Sequence, residues 1–207
     1  MRQGILRSFC LLVLAAAPAA AETGDPDPLF RSHAVLDVTL SAPLRTLVAE
    51  RPTDEELQGT LSYAADNGEQ TALSVKIRAR GHSRHAICDL PPLWLSFRKS
   101  EVKDTLFHKQ DKLKLVVHCQ DSERYEQTLL REYIAYRILN LATPVSFQVR
   151  LLRVTWVDTE GKREQQVRYA FLLEHKDRLG KRIGRKDLKI DETTVAAIDP
   201  THLNLTS

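Results

Sequence analysis

The chain has 207 residues, of which 30 are basic and 27 acidic, and its formal net charge is +3 at pH 7. This near-neutral balance argues against general nucleic-acid binding, which normally requires a strongly basic domain. The length is in the range of one ordinary domain, so we expect a single hydrophobic core.

Residues 1–21 have the pattern of an export signal peptide. Arg2 and Arg7 form its charged end, residues 9–17 its apolar centre, and residues 19–21 are alanines suited to cleavage. The apolar run is shorter than the ~20 residues that a membrane-spanning helix needs. We therefore expect a periplasmic or secreted mature chain without a transmembrane segment. Loss of the signal leaves 28 basic residues against 27 acidic ones.

The first half of the mature chain is predicted to be mainly strands. Residues 22–33 are acidic and proline-rich and predict a flexible lead-in to a single α+β domain over residues 34–207. Alternating apolar residues predict strands at 33–40, 57–63, 71–80 and 93–97. Asp66-Asn67-Gly68 predicts a hairpin turn between the second and third strands. Residues 98–112 are charged and predict an exposed loop.

Residues 112–141 are predicted to form a strand, a turn and a helix at the centre of the fold. The helix is expected to start after Ser122 as N-cap and to stop at Thr143-Pro144. Its apolar positions at intervals of three and four should share one buried face; they are Leu130, Ile134, Ile138 and Leu141. A second hairpin is predicted from 147–157 and 166–173. The predicted fold class is α+β, with antiparallel β-hairpins packed on this central helix.

Two cysteines remain after signal removal, Cys88 and Cys119. Exported proteins meet an oxidising environment, so we expect these two residues to form a disulfide. A metal site with His85 and His118 is the alternative, although the spacing matches no usual zinc pattern.

Residues 77–85 are the first candidate for chemistry. Here a strand delivers Arg78 and Arg80 into a turn that contains Gly81 and Ser83, and these groups could hold an anion such as phosphate. The alternative is a solvated basic strand edge that merely prevents aggregation. Residues 176–189 hold seven cations and are expected to be a solvated loop, or else a docking segment for an acidic partner or anionic lipid. Packing in the core or a cleft would explain Trp94.

The order of the motifs VKIRARGHS, LSF, KLKLV, QTLLREYIAYRIL and YAFLLEHKD resembles the spore-coat CotH kinase family over residues 75–177. The resemblance implies the N-terminal portion of an atypical, secreted kinase-like fold that binds ATP with Mg²⁺ and phosphorylates proteins. Arg80, Gly81 and Ser83 match the family's RG-x-S turn, Arg131 matches the arginine that opens its helix, and Glu174 matches the glutamate that ends its later strand. Pro91 and Pro92 stand where family members carry lysines, so Lys112 or Lys114 would have to contact the phosphate.

Two functions are compatible with these residues. In the first, an exported kinase-like enzyme uses Arg78, Arg80, Ser83 and Lys114 to contact phosphates, while Glu174 borders the nucleotide. The family's catalytic carboxylates would lie in a helical region beyond Ser207, so we expect this chain alone to be inactive. In the second, a non-catalytic relative serves as a periplasmic or cell-envelope binding module for a protein partner. The sequence specifies neither the partner nor the oligomeric state.

Overall fold

The computed structural model describes residues 26–65, 68–81 and 83–185, in which seven strands form a closed barrel in the order β1-β2-β3-β4-β5-β7-β6. The strands are β1 (Leu36–Ala42), β2 (Leu57–Ala64), β3 (Gln70–Ala79), β4 (Leu93–Phe97), β5 (Lys112–Val117), β6 (Val149–Asp158) and β7 (Gln166–Leu173). The helices are α1 (Pro28–Arg31), α2 (Leu44–Glu50), α3 (Ser83–Ile87), α4 (Glu123–Ala142) and α5 (Lys176–Arg182).

The barrel closes through its first and sixth strands. β1 pairs with β6 in parallel from Leu36↔Leu152 to Ala42↔Asp158, whereas all other neighbouring strands are antiparallel. The inward side chains fill the interior; fully buried examples are Leu40, Leu61, Ile77, Leu95, Leu113 and Leu115. Because the interior is packed with side chains, a ligand site has to lie on the outside of the barrel or at one of its ends.

The predicted fold class is wrong, because the strands close into a barrel rather than packing as hairpins on a central helix. The 20-residue helix α4 lies outside the barrel, over the outer faces of β6 and β7. Its contacts form a small second core around Val116, Phe171 and Leu173. The centre of the molecule is therefore the barrel interior, and α4 is a cover on one side.

The prediction of which face of α4 is buried is also wrong. Ile134, Ile138 and Leu141 are 53%, 60% and 84% exposed, whereas Leu129 and Tyr133 are buried. The rings of Tyr133 and Tyr136 both lie 5.9 Å from that of Phe171 on β7. Two stripes at helical spacing run along α4, and the apolar outer face of the sheet packs against the one that carries the aromatic rings.

Several predicted elements are confirmed. Strand β4 spans the predicted residues 93–97 and β7 the predicted residues 166–173, and both predicted hairpins form. Helix α4 starts after Ser122, although the serine side chain makes no capping hydrogen bond. Two residues of the predicted turn, Asp66 and Asn67, lie outside the described residues.

Two segments predicted to be flexible are structured. Within residues 22–33, helix α1 places Leu29 and Phe30 in the core at 0% and 1% exposure. Part of the predicted solvated loop 176–189 is helix α5, and its Arg178 donates to both carboxylate oxygens of Asp27 at 2.6 Å. Residues 186–189 lie outside the described part. Among the described residues, no helix has the length and apolar character needed to cross a membrane.

Asp158 joins the closing strands to helix α2 and should make stability depend on pH. Its carboxylate accepts backbone hydrogen bonds from Leu44 at 2.9 Å and Lys162 at 2.8 Å, among others. Burial raises the pKa of Asp158, but hydrogen bonds from four backbone amides outweigh burial and hold it below its usual range. Since the folded-state pKa is depressed, this stabilisation is present above the unfolded-state value and is lost as pH falls through the folded one.

We expect Asp158→Asn to cost about 1–3 kcal/mol at neutral pH, because the amide group accepts fewer hydrogen bonds. The difference between the two proteins should shrink as the pH falls into the range where Asp158 takes up its proton. Urea unfolding of both proteins across a series of pH values measures it. A difference that stayed constant down to the lowest pH would contradict this role for the carboxylate.

Candidate functional site

The register of three strands brings cationic side chains around a tryptophan on the outside of the barrel. Trp94 on β4 pairs with Arg78 on β3 and with Lys114 on β5, while Lys112 pairs with Ser96. Side chains two residues apart share a face, and diagonal cross-strand neighbours remain within reach of long side chains. Arg80, just after β3, is held beside β4 because its amide donates to the carbonyl of Pro92 at 2.8 Å.

Three cations lie around the Trp94 ring, and we call this group the Trp94 cluster: Arg80, Trp94, Lys112 and Lys114. Lys112 Nζ lies 4.7 Å from the ring centroid, Arg80 Cζ 5.5 Å and Lys114 Nζ 5.6 Å. Each distance is within the ~6 Å range of a cation–π contact. The ring of His175, which follows β7, lies 5.7 Å from the same indole.

The cations of the cluster have no acidic partner among the described residues. Within the part of the chain that the structure describes, Arg80, Lys112 and Lys114 form no ion pair and no side-chain hydrogen bond. Arg84, in contrast, meets Glu132 at 2.8 Å. Uncompensated cations that are partly buried cost folding free energy, and such groups tend to cluster at functional sites.

The titration behaviour of Lys114 and Arg80 reflects this crowding. Burial, then repulsion from Arg80 and Lys176, lowers the pKa of Lys114. Burial, then repulsion from Arg84, likewise lowers the pKa of Arg80, with Tyr136 and Glu132 acting in the opposite direction. An anion placed between these side chains would relieve the repulsion, since it favours their charged forms.

The closed barrel removes the alternative explanation for the cations of β3. A basic strand edge prevents aggregation only where the strand has an unpaired side. Strand β3 is paired with β2 from Leu57↔Ile77 to Ala64↔Gln70 and with β4 from Val75↔Phe97 to Ala79↔Leu93. Its cations therefore do not protect an edge, and Lys76 instead lies 3.3 Å from the Glu56 carboxylate.

None of the other predicted site residues belongs to the Trp94 cluster, although Arg78 lies opposite Trp94 in the strand register. Arg78 donates to the carbonyl of Thr53 at 2.5 Å, so its guanidinium is engaged elsewhere. Gly81 has φ +91°, a left-handed conformation that favours glycine, and Ser83 is exposed at the start of α3. Arg131 is exposed on α4.

Glu174 takes part in a buried ion pair. It is 4% exposed, and Arg182 donates to its two carboxylate oxygens at 3.2 and 3.0 Å. The amide of Gln148 also donates to this carboxylate at 3.1 Å. These contacts tie the end of β7 to α5 and to the segment before β6, which is a structural role that the sequence did not indicate.

The predicted disulfide is confirmed between Cys88 and Cys119, whose Cα atoms are 4.4 Å apart. The amide of Asp89 donates to the carbonyl of Cys119 at 2.7 Å, which holds the two segments together next to the bond. The cysteines are thus unavailable as thiolate ligands for the alternative metal site with His85 and His118.

A concave surface adjoins the Trp94 cluster. It is an open cavity of about 610 Å³ between the loop at residues 98–111 and helix α5. Six cationic side chains and two carboxylates line it, and Lys112 and His175 belong to both the cavity and the surroundings of Trp94. The cations are Lys99, Lys103, Lys109, Lys112, Arg178 and Lys181.

A different cavity is much smaller, about 40 Å³, and has room for water but not for an organic ligand. It is lined by His118 and Trp156, whose Nδ1 and Nε1 atoms are buried without a hydrogen-bond partner among the described residues. Burial lowers the pKa of His118, although Asp121 acts against it. Two unsatisfied polar atoms at one small cavity fit an ordered water molecule, so this cavity is a structural feature.

Sequence reasoning identified Arg80 and Lys114 but missed Trp94 and His175. Trp94 alternates with buried leucines on β4, and that alternation places it on the outer face of the sheet. Lysines alternate with leucines on β5 in the same way. The cluster could therefore have been found from the alternation on both strands, which places Trp94 and the lysines on the outer face, combined with the pairing of β4 with β5.

Comparisons of the chain with protein-family models, with curated proteins and with solved structures find no match. The resemblance to the spore-coat CotH kinase family accordingly stays a prediction.

Proposed function

We propose that this protein is an exported, non-catalytic binding module that holds a phosphate-bearing aromatic ligand, such as a nucleotide, on the Trp94 cluster. The observation that carries the proposal is the convergence of Arg80, Lys112 and Lys114, which have no acidic partner among the described residues, on one tryptophan of the outer barrel face. An indole offers a stacking surface for a base, and guanidinium and ammonium groups bind phosphate oxygens.

The export part of the proposal is supported by two features. The first 21 residues have the composition of a signal peptide, and Cys88 and Cys119 are joined in a disulfide. Disulfides persist mainly in oxidising compartments such as the periplasm and the extracellular space.

The proposal is limited to binding. Protein phosphorylation with ATP and Mg²⁺ follows from the resemblance alone, which assigns no catalytic carboxylate to the residues of this chain. ATP is nevertheless the most informative probe, because it combines an aromatic base with several phosphates. Titrating it with and without Mg²⁺ also tests whether the metal contributes to binding.

We expect ATP to bind the wild-type protein and Lys114→Gln to weaken that binding about tenfold, because one charge-assisted contact is lost. Trp94→Ala should weaken it further by removing the stacking surface. The measurement is isothermal titration calorimetry at low salt, with thermal unfolding of each variant to show that it is folded.

Lys162→Gln is the matched control, since Lys162 is exposed in the β6–β7 turn at the far end of that hairpin. It removes the same charge and should change the affinity less than about twofold. Adenosine, which carries no phosphate, should bind much more weakly than ATP. Equal affinity for adenosine and ATP, or equal losses in Lys114→Gln and Lys162→Gln, would refute the proposed site.

A further inference from the structure

We propose that the cavity beside the Trp94 cluster is a second anion subsite, so that the natural aromatic ligand carries a linear chain of phosphates that runs from the cluster into the cavity. This inference rests on the proposed function and specifies its ligand class. The two surfaces are continuous, because the Lys112 ammonium that lies 4.7 Å from the Trp94 ring also lines the cavity.

The loop that forms one wall is held in place, although its sequence predicted an exposed and charged connection. Val102 and Phe107 are 1% and 0% exposed, and the Phe107 ring lies 5.4 Å from Tyr63 and 5.3 Å from Phe97. The Tyr63 hydroxyl also accepts a hydrogen bond from the Leu106 amide at 3.2 Å. Lys103 and Lys109 thus extend from an anchored backbone, which reduces the entropy lost when they bind a ligand.

The opposite wall is equally well anchored. Helix α5 is fixed through the ion pair of Arg178 with Asp27, at 2.6 Å. Asp27 also accepts a hydrogen bond from the Gln110 amide group at 2.9 Å, which connects α5 to the end of the loop. Lys181 lies three residues beyond Arg178 and lines the same cavity. The space between the two walls therefore has a defined shape.

Only part of the positive charge in the cavity is neutralised. Arg178 is paired with Asp27, and Lys99 lies 3.6 Å from Asp111. Asp177 lies 3.5 Å from the His175 ring. Four lysines form no ion pair with any residue in the described ranges; they are Lys103, Lys109, Lys112 and Lys181.

Several unpaired cations around one open cavity suit a ligand with repeated negative charge. A single phosphate would contact one or two of these lysines, whereas a chain would contact those of the cluster and of both walls together. Binding a chain also releases its condensed counterions, so its affinity should rise with length and fall steeply with salt.

The test compares AMP with linear tripolyphosphate and a longer linear polyphosphate by isothermal titration calorimetry. The wild-type protein should bind the longer chain at least about tenfold more tightly than tripolyphosphate. In Lys103→Gln/Lys109→Gln, the affinity for the longer chain should fall at least about tenfold and its salt dependence should decrease. The affinity for AMP should change less than about twofold, since AMP reaches the Trp94 cluster alone.

Lys162→Gln/Arg163→Gln is the control for net charge, because it removes two cations from the exposed β6–β7 turn. It should leave the affinity for the longer chain within about twofold. If the cavity and control variants lose affinity equally, or if chain length has no effect, the second subsite is overturned while Lys114-dependent AMP binding retains the proposed function. If AMP does not bind either, both proposals fail. Binding to phosphatidylglycerol vesicles without binding to polyphosphate also overturns the inference, in favour of a lipid headgroup surface.

Discussion

Glu174→Ala is expected to lower the free energy of unfolding by about 3 kcal/mol, because it leaves the Arg182 guanidinium buried without its carboxylate. The side chains of Arg182 and Glu174 are 8% and 5% exposed, so water cannot replace the lost partner. Arg182 also donates to the carbonyls of Pro144 and Ser146 at 2.8 and 2.7 Å, which keeps the loss near the lower end for a broken buried pair. Urea unfolding followed by circular dichroism measures the change.

Glu174→Gln is the control, since a neutral amide still accepts a hydrogen bond from Arg182 and should cost less. The same variants also test the nucleotide role that the resemblance implies for Glu174. Folded Glu174→Gln should bind ATP as tightly as the wild-type protein, because the carboxylate is enclosed by Arg182 and Gln148. A marked loss of ATP affinity with unchanged stability would instead place Glu174 at the nucleotide.

Removing the disulfide in Cys88→Ser/Cys119→Ser should cost about 3–4 kcal/mol, on the model in which the bond reduces the entropy of the unfolded chain. The two cysteines are 31 residues apart in sequence, and the loop that they close contains β4, the anchored loop at residues 98–111 and β5. The measurement is the urea midpoint and the slope of the transition, each with and without dithiothreitol.

The wild-type protein should move towards the double variant when it is reduced, and the double variant should not respond to dithiothreitol. A loss below about 1 kcal/mol would show that the backbone contact between Asp89 and Cys119 suffices to hold the two segments. ATP affinity provides a second readout. Helix α3 begins three residues after Arg80 and ends next to Cys88, so a looser α3 should weaken binding at the Trp94 cluster.

The Trp94 cluster depends on the closed barrel. Because both sides of β4 and β5 are paired, Trp94, Lys112 and Lys114 are fixed in relative position by backbone hydrogen bonds as well as by side-chain packing. Binding groups on a rigid scaffold lose little conformational entropy when a ligand arrives. Because the barrel interior is filled with side chains, ligand-binding residues have to lie on its outer surface or at its ends.

The sequence by itself determined the local structure and the disulfide. Strands β4 and β7 and both hairpins could be predicted because the alternation of apolar residues and the turn residues lie close together in the chain. The start of α4 at Ser122 is likewise encoded by neighbouring residues. With two cysteines left after the predicted signal peptide, pairing of Cys88 with Cys119 needed no knowledge of the fold.

Tertiary structure alone decided the barrel, the buried face of α4 and the site. Closure depends on β1 pairing with β6, as in Leu36↔Leu152, and no local pattern specifies a contact between residues so far apart. Helix α4 carries two apolar stripes, and the stripe with Tyr133 is buried because it packs against the aromatic outer face of β7. From the sequence, Trp94 indicated only packing. It lies at the centre of a cationic site because the strand register places lysines of β5 and the arginine just after β3 around it.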